Sequence, residues 1–201
     1  DILIGTQLIA KGLDFKNVGL VGIISADVAL NIPDFRSPER ALQLIIQAAG
    51  RAGRGDEKGK VVIQTYSPEH YAVAFAAAQD YEGFYKTEIQ LRKYMGYPPF
   101  SDMFQILFTS ADQQEALRGA QSWHDRLMKA LPEEEKGNLF RPQEAYMSKI
   151  KEKYRYSMLI KCPKGRRRGY SDMINSIREE DKKDRKKNYT AVTDINPYSF
   201  E

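Results

Sequence analysis

Apolar and polar positions near the start of the chain follow the pattern of alternating strands and helices. The short apolar runs Ile2–Ile4 and Leu20–Ile24 predict buried strands, the second covered on both faces of its sheet, and residues 61–66 predict another. Residues 38–52 and 71–79 have helical periodicity, and a Ser-Pro-Glu sequence typical of a helix start accompanies each pattern. This order predicts an α/β unit with a parallel sheet.

Residues 80–100 predict a helical linker between two domains, residues 1–79 and residues 101–201. Aromatic and aliphatic residues recur at helical spacing from Tyr81 to Met95, with charged residues between them. The following Tyr-Pro-Pro-Phe sequence is expected to be extended, because neither proline can continue a helix. An aromatic stripe of this kind is typical of a core, so we expect it to pack the two halves of the chain together rather than to stack on bases.

The last hundred residues predict a second, smaller α+β domain in which strands alternate with two amphipathic helices. The strands are expected at 103–110, 139–145, 154–161 and 189–195, and the helices at 112–131 and 170–187. This βαββαβ order is that of a ferredoxin-like sandwich, a four-stranded sheet with two helices on one face. Such a fold serves many functions and does not decide this one.

Composition and charge exclude some classes of protein for this chain. The 201 residues contain one cysteine, Cys162, which excludes an internal disulfide and a cysteine-rich zinc site within this chain and fits a reducing cytoplasm. No apolar run approaches the roughly 20 residues of a membrane-spanning helix, so we expect no membrane partner. The net charge of +4 is uneven, because residues 149–187 hold 15 Lys and Arg residues against 6 Asp and Glu residues. Such a block is either a solvated surface or a surface for a phosphate backbone.

The most distinctive stretch is residues 47–55, with the sequence Gln-Ala-Ala-Gly-Arg-Ala-Gly-Arg-Gly. Arg51 and Arg54 are three residues apart on one face of a helix end, and the surrounding glycines allow close approach of backbone or ligand. Two guanidinium groups can bind phosphate oxygens bidentately and stabilise the charge that develops in phosphoryl transfer. The alternative interpretation is a basic helix end in which the arginines only complement the helix dipole.

A second stretch, residues 1–14, places polar residues directly after an apolar strand pattern. Ligands of parallel α/β sheets bind at the carboxyl ends of the strands, so Thr6 and Gln7 lie where a ligand-facing loop belongs. Together, Gly-Thr-Gln with Lys-Gly-Leu-Asp in this stretch and the arginine stretch 47–55 resemble motifs V and VI of superfamily 2 helicases. The sequence of residues 4–15 resembles the bacterial primosomal protein N′ family, the PriA replication-restart helicases. Further resembling segments are Ser25–Asp27, Pro33–Arg36, Tyr97–Phe100 and Asp194–Pro197.

The resemblance implies that residues 1–79 are the C-terminal part of a RecA-like helicase lobe 2, and it implies roles for single residues. It implies that Thr6 and Gln7 contact nucleic acid. The residues that it implies for the ATP site are Gly12, Asp14, Gln47, Gly50, Arg51 and Arg54. The arginines would act as fingers on the ATP phosphates together with Gln47, while Gly12 would allow close backbone approach. Asp14 would couple the nucleotide site to the DNA strand, although an aspartate here also suits a helix cap or a turn.

Two parts of an ATPase site do not occur in this sequence. It contains neither a Gly-x-x-x-x-Gly-Lys-Ser/Thr phosphate loop nor an acidic strand-end magnesium motif. In the resembled family these parts and a cysteine-rich zinc-binding insertion lie upstream. We therefore expect ATP, Mg²⁺ and zinc only in a longer protein, and no cofactor or metal in this chain. Because the chain begins inside a domain pattern, we interpret it as a fragment that is inactive as an ATPase alone.

The resemblance implies the C-terminal portion of an ATP-dependent 3′-to-5′ DNA helicase that recognises stalled or branched replication forks and initiates primosome assembly for replication restart. Two alternatives stay open. One is another superfamily 2 translocase, such as a RecG-like branch-migration enzyme, although the Tyr-Pro-Pro-Phe linker and the ferredoxin-like tail argue against it. The other, for this chain alone, is a non-catalytic module that binds DNA or protein.

A basic cluster in the second domain is the candidate for binding DNA. Its members are Lys149, Lys151, Lys153, Arg155, Arg166, Arg167 and Arg168. The first four are spaced two apart, so in an extended chain their side chains point the same way, and the three arginines follow on a loop expected nearby. They suit a groove for branched or single-stranded DNA, or a site for an acidic peptide tail. The resembled family is linked to DNA, to single-stranded-DNA-binding protein and to other primosome proteins, and the sequence does not separate these partners.

Overall fold

The computed structural model describes residues 1–6, 18–53, 59–184 and 187–200. The predictions that concern Gln7, Gly12, Asp14 and Arg54 lie outside these residues. Contacts divide the chain into two compact units, Asp1–Gln90 and Leu91–Glu201.

The described residues of the first unit form two strands and three helices, followed by the start of a fourth helix that continues into the second unit. These elements are β1 (Leu20–Ile23), α1 (Asp27–Leu30), α2 (Ser37–Ala49), β2 (Lys60–Ile63), α3 (Tyr71–Ala78) and α4 (Tyr81–Met95). The strands pair in parallel, with Leu20 opposite Lys60 and Ile23 opposite Ile63. The predicted βαβ order is therefore confirmed for the described residues.

The core of the first unit lies between one face of this sheet and its helices. Apolar residues at helical spacing on α2 and α3 are buried, as the sequence pattern predicts. The buried residues are Ala26, Leu42, Ile45, Ala72, Val73, Ala76 and Phe84. Ile23 and Ile63 pack against them from the strands, so helices cover this face of the sheet.

Two predictions about strands in the first unit are wrong. Ile2–Ile4 is not a strand, and its three side chains are highly exposed. A strand needs a hydrogen-bonded neighbour, and among the described residues the sheet of this unit consists of β1 and β2 alone. β1 itself is covered on one face only, because Leu20 and Ile24 on the other face are 62% and 78% exposed.

The start of α2 also differs from the prediction. Ser37 is the first helical residue rather than the cap, and its hydroxyl donates a hydrogen bond of 2.6 Å to the carbonyl oxygen of Ile32. Just before it, the buried carboxylate of Asp34 accepts hydrogen bonds from the Arg36 guanidinium at 2.9 and 3.1 Å and lies 3.4 Å from the Arg40 guanidinium. This pairing anchors the beginning of the helix that carries Gln47 at its other end.

The second unit contains an antiparallel sheet. Its elements after α4 are β3 (Ser101–Ser110), α5 (Gln113–Ala130), a 3₁₀ helix (Glu133–Asn138), β4 (Gln143–Ile150), β5 (Lys153–Pro163), α6 (Arg167–Lys183) and β6 (Thr190–Ile195). The strand order β4-β5-β3-β6 places the first and third strands of the unit at its centre. Each central strand connects through a helix to a strand on the far side of the other, which is the split arrangement of ferredoxin-like folds. The predicted small α+β domain is confirmed.

The core of the second unit lies between the two helices and one face of the sheet. Alternate residues of β3 and β5 point to this face, as the period of two in a strand requires. The core residues on the strands are Phe104, Ile106, Phe108, Tyr156, Met158, Ile160 and Cys162, and those on the helices include Ala116, Ala120, Trp123, Tyr170, Ile174 and Ile177. The opposite face of the sheet, which we call the open face, carries Leu107, Thr109, Arg155 and Lys161 among others. Its middle is covered, because Gln105 and Ser157 are buried there and the Gln105 amide donates a hydrogen bond of 3.3 Å to the carbonyl oxygen of Phe200.

Two further predictions are corrected here. The strand expected at 139–145 is β4 at Gln143–Ile150, preceded by a single bridge between Leu139 and Ile160. The aromatic stripe of α4 is largely exposed rather than buried. Phe84 is 2% exposed, but Tyr81 and Tyr94 are 60% and 88% exposed. Only the side of α4 that carries Phe84 and Glu88 is buried, where the Tyr71 hydroxyl donates to the Glu88 carboxylate at 2.6 Å.

No helix within the described ranges is long and apolar enough to cross a membrane.

Candidate nucleotide and DNA contact sites

The end of α2 carries the residues expected at ATP. Gln47 is exposed on the last helical turn, and the helix ends at Ala49 rather than at the predicted Ala52. A turn continues through Arg51, whose N–H donates to the carbonyl oxygen of Ala48 at 3.1 Å. It closes at Gly53, where φ is +74°, a conformation that favours glycine. Arg51 is half-buried at this turn.

Gly50, the residue after α2, has a right-handed φ of −63°. A Cβ atom added there would lie 3.4 Å from the carbonyl oxygen of Ile46 and 3.6 Å from that of Gln47, which are ordinary contacts. The described residues therefore leave room for a side chain at this position. A glycine where the fold does not require one fits a surface that a ligand approaches closely. The exposed Gln47 amide and the Arg51 guanidinium are donor groups that suit a polyphosphate. Gly50 adds access but no donor, because its N–H is bonded to the carbonyl oxygen of Ile46 at 2.9 Å.

Thr6, expected at the nucleic-acid backbone, is exposed in a segment with neither helix nor strand. Its role and the roles of Gln47, Gly50 and Arg51 stay predictions.

The basic stretch 149–155 is a hairpin and not one extended segment. Lys151 and Glu152 form a two-residue turn with φ of +47° and +60°, the positive values that a type I′ hairpin turn requires. Lys149 therefore lies opposite Tyr154, and Ile150 lies opposite Lys153. The prediction that four basic side chains point the same way is wrong, because the chain reverses between them. Lys-Glu is not a common pair for such a turn, so the sequence does not indicate it.

The hairpin distributes its charges over both faces of the sheet. Side chains alternate between the two faces along β5, and Tyr156 points into the core beneath the helices. Lys153 and Arg155, at odd-numbered positions of the same strand, therefore lie on the open face. Lys149 lies on the helix side, 5.0 Å from the centre of the Tyr154 ring, and its ammonium is 2.7 Å from a carboxylate oxygen of Glu152. This hydrogen bond and the negative charge of Glu152 raise the pKa of Lys149, and the same hydrogen bond and the positive charge of Lys149 lower the pKa of Glu152.

Strand register brings polar partners to Arg155 on the open face. Thr109 of β3 lies opposite Arg155, and Thr190 of β6 lies opposite Thr109. The Arg155 guanidinium also donates to the carbonyl oxygen of Met147 at 3.2 Å. Guanidinium and hydroxyl groups in one row are the donors that DNA-binding proteins use on phosphate oxygens. Sequence reasoning missed both threonines, because only the pairing of strands far apart in the chain aligns them.

The arginines 166–168 are not close to the hairpin. They follow the end of β5 at Pro163, whereas the hairpin precedes its start at Lys153, and ten residues of strand span roughly 33 Å. Arg166 pairs at 3.0 Å with the buried carboxylate of Glu135, which also accepts a hydrogen bond of 2.8 Å from the Tyr170 hydroxyl. Arg167 and Arg168 are exposed in the first turn of α6. The prediction of one groove is therefore wrong, and the structure has two basic surfaces.

No group of three or more His, Cys, Asp and Glu side chains suited to a metal ion occurs in the part of the chain that the structure describes.

The ferredoxin-like unit with its basic open face corresponds to a known class. Residues 93–198 match the family described as primosomal protein N C-terminal domain. The match covers more than half of the chain, so the chain belongs to this family, and the predicted resemblance is confirmed.

Relatives extend the likeness to the first unit. The chain is 38% identical over 199 residues to the replication restart protein PriA of Bacillus subtilis, which covers 98% of this chain and 24% of that protein. It is 40% identical over 159 residues to the protein of the same name from Borreliella burgdorferi, covering 79% of this chain and 24% of the relative. It is 36% identical over 163 residues to the protein of the same name from Synechocystis, and this match covers 81% of this chain and 19% of the relative. The chain thus spans about a quarter or less of the length of these relatives.

Proposed function

We propose that this chain is the C-terminal portion of an ATP-dependent 3′-to-5′ DNA helicase of the PriA type, which recognises stalled or branched forks and initiates primosome assembly for replication restart in the cytoplasm. The observation that carries the proposal is the 38% identity to a replication restart protein across 98% of this chain. The RecG-like alternative finds no support in the names of the relatives, several of which are replication restart proteins.

In this proposal the first unit is part of a RecA-like lobe 2. In the longer protein ATP would be hydrolysed, its γ-phosphoryl group passing to water with release of ADP, and this reaction, with Mg²⁺ bound to the nucleotide, would drive translocation. Arg51 and Arg54 would stabilise negative charge on the phosphates as fingers, and Gln47 would orient them by hydrogen bonding. The phosphate loop, the magnesium-binding carboxylate and the zinc site would come from the rest of the longer protein. The parallel βαβ unit and the open approach to Gly50 support this assignment.

The second unit is proposed to bind the DNA. Lys153 and Arg155 on the open face, flanked by Thr109, would contact phosphates of a branched or single-stranded substrate. Lys151 at the turn and Lys149 would extend this surface, and Arg167 with Arg168 would form a second contact. Single-stranded-DNA-binding protein and other primosome proteins are the proposed protein partners, and an acidic peptide tail is the competing occupant of the same basic surface.

The test is fluorescence anisotropy of the 201-residue chain with forked, single-stranded and duplex DNA over a salt series, beside a titration with an acidic peptide. We expect the fork to bind most tightly. A double variant, Lys153→Gln with Arg155→Gln, should lower the salt slope by about 0.7 to 0.9 for each lost phosphate contact. Lys86→Gln, at an exposed lysine of the first unit that pairs with Glu82, is the control.

A slope and affinity that the double variant leaves unchanged would remove the open face as the DNA surface. Binding of the peptide alone, without DNA, would make this surface a docking site for a protein partner.

A further inference from the structure

A pocket lies at the end of β5 opposite to the hairpin. It has a volume of about 380 Å³ and is formed within the second unit by the end of α4, the start of β3, the 3₁₀ helix and the end of β5. The side chains that matter for its chemistry are Tyr94, Met95, Phe100, Asn138, Phe140 and Lys161. Neither the family match nor the proposed DNA surface assigns a role to this pocket.

Three aromatic rings of the pocket are open to solvent. Tyr94 is 88% exposed, and Phe100 and Phe140 are 38% and 39% exposed. Exposed aromatic side chains that gather at a concave surface indicate a binding site, because burying them against a ligand is favourable. Their flat faces suit a flat, unsaturated ligand better than an aliphatic one.

Lys161 gives the pocket a positive charge at a defined position. Its ammonium lies 4.1 Å from the centre of the Tyr97 ring and 5.3 Å from that of Phe140, and it donates a hydrogen bond of 2.6 Å to the carbonyl oxygen of Met95. An ammonium carries three donors, and the Met95 carbonyl takes one. Burial lowers the pKa of Lys161, as expected for a lysine enclosed by rings.

Further cations are adjacent in the sequence to residues that line the pocket. Lys93, Arg141 and Lys164 are exposed, and each directly adjoins a residue that lines the pocket. The acidic neighbour Asp102 accepts a hydrogen bond of 2.8 Å from the Asn196 amide. An aromatic pocket that contains the Lys161 ammonium matches a polyanion that carries flat rings, which is the chemistry of a single-stranded nucleic acid.

We propose that this pocket binds one unpaired nucleobase of single-stranded DNA, stacked on Tyr94 and Phe140, while the Lys161 ammonium attracts an adjoining phosphate. The inference rests on DNA binding by the second unit. Lys161 and Lys153 lie on the same face of β5, eight residues or roughly 26 Å apart. Ser157 between them is buried, so the hairpin and the pocket are two separate contact points for one strand.

The experiment uses the 201-residue chain and oligothymidylate that contains a single 2-aminopurine, whose fluorescence falls when the base stacks on an aromatic ring. We expect quenching on binding. Tyr94→Ala and Phe140→Ala should each weaken binding at least about fivefold and reduce the quenching, since stacking on aromatic side chains contributes measurably for each base. The salt slope should stay unchanged, because no phosphate contact is removed.

Tyr198→Ala is the matched control, because Tyr198 belongs to the same unit, has the same 88% exposure and does not line the pocket. Wild-type affinity and quenching in both Tyr94→Ala and Phe140→Ala would overturn the pocket assignment and leave the DNA surface standing, provided that the Lys153→Gln and Arg155→Gln variant still loses affinity. The absence of any DNA binding by the wild-type chain would overturn both proposals. Binding of an aromatic-rich peptide that Tyr94→Ala abolishes, with the DNA signal unchanged, would assign the pocket to a protein partner instead.

Discussion

Replacing Asp181 by asparagine is expected to destabilise the second unit strongly. The Asp181 residue is 6% exposed, and its carboxylate joins α5, α6 and the segment before β6. It accepts hydrogen bonds of 2.7 Å from the Trp123 indole and 2.7 Å from the Tyr189 hydroxyl, and it pairs with the Arg126 guanidinium. An asparagine keeps one acceptor oxygen for these donors and turns an amide N–H₂ towards the others.

The magnitude follows from the burial of these groups. Leaving the partner of a buried ion pair without its counter-charge costs about 3–5 kcal/mol, and a lost hydrogen bond to a charged group costs about 1.5–3 kcal/mol. The Arg126 side chain is 27% exposed, so water compensates part of the loss. We therefore expect Asp181→Asn to lower the free energy of unfolding by about 2–4 kcal/mol, which lowers the Tm of this unit by roughly 10–20 °C.

Urea unfolding followed by the fluorescence of Trp123, the only tryptophan of the chain, reports on this site directly. Far-UV circular dichroism checks that the same transition is observed. Glu180→Gln is the matched control, because the Glu180 carboxylate lies 3.5 Å from the same guanidinium but is 62% exposed. It should change the free energy of unfolding by less than about 0.5 kcal/mol.

The pH dependence provides a second measurement. Burial acts to raise the pKa of Asp181, but hydrogen bonds from Tyr189, Trp123 and Arg126 outweigh it, so the pKa in the folded protein lies below its ordinary value of 3.8. A carboxylate with a lowered pKa stabilises the fold above its unfolded pKa, and this contribution is lost as the pH falls through the folded pKa. The acid sensitivity below about pH 4 should therefore shrink in Asp181→Asn. An unchanged urea midpoint, or the acid sensitivity of the wild type, would refute this reasoning.

Four further predictions test other parts of the chain. Gly119→Ala should lower the free energy of unfolding by about 1–3 kcal/mol in a urea titration, because the added Cβ atom would lie 2.7 Å from the Tyr189 ring. Gly169→Ala is the control and should be neutral or slightly stabilising, because its Cβ atom would have no neighbouring atom within 4 Å. Stability should fall above about pH 10, because burial and then the hydrogen bond to Glu135 raise the pKa of Tyr170, so its contribution is present below the unfolded pKa and lost as the pH rises. In Tyr170→Phe this alkaline loss of the urea midpoint should be smaller, and an equal loss would contradict the assignment. In the intact helicase that we propose, Arg51→Ala or Arg54→Ala should lower ATP turnover by about 10³ to 10⁵ with DNA binding largely kept, and an unchanged turnover number would remove the finger role. Phosphate release by the 201-residue chain alone should stay at background.

Elements with strong local signals agree closely with the sequence predictions. The helix expected at 112–131 is Gln113–Ala130, because Asp112 caps its start by accepting hydrogen bonds from the N–H groups of Gln114 and Glu115. β4 was misplaced because its alternation is weak. Its register shifts between Glu144 and Lys149, and most of its side chains are exposed, so no clear period of two identifies the strand.

The candidate sites likewise include features that the local sequence predicts and features that it does not. The arginine stretch and the family resemblance are local features, and a match over residues 93–198 confirms the family. The prediction that groups the basic residues on one surface depends on how the chain turns and pairs, and it is wrong. A two-residue turn at Lys151 and Glu152 reverses the chain and moves Lys149 to the face opposite Arg155, which spacing along the sequence cannot indicate.

The sequence by itself determined the family, the βαββαβ order and the apolar positions of the core helices, because periodicity records which face of an element is buried. Only the tertiary structure decided which polar residues meet. Strand register aligns Arg155 with Thr109, and the packing of α4 beside the end of β5 assembles Tyr94, Phe140 and Lys161 into a pocket. These residues are far apart in the chain, and their proximity follows from hydrogen bonding and packing between elements rather than from any local pattern.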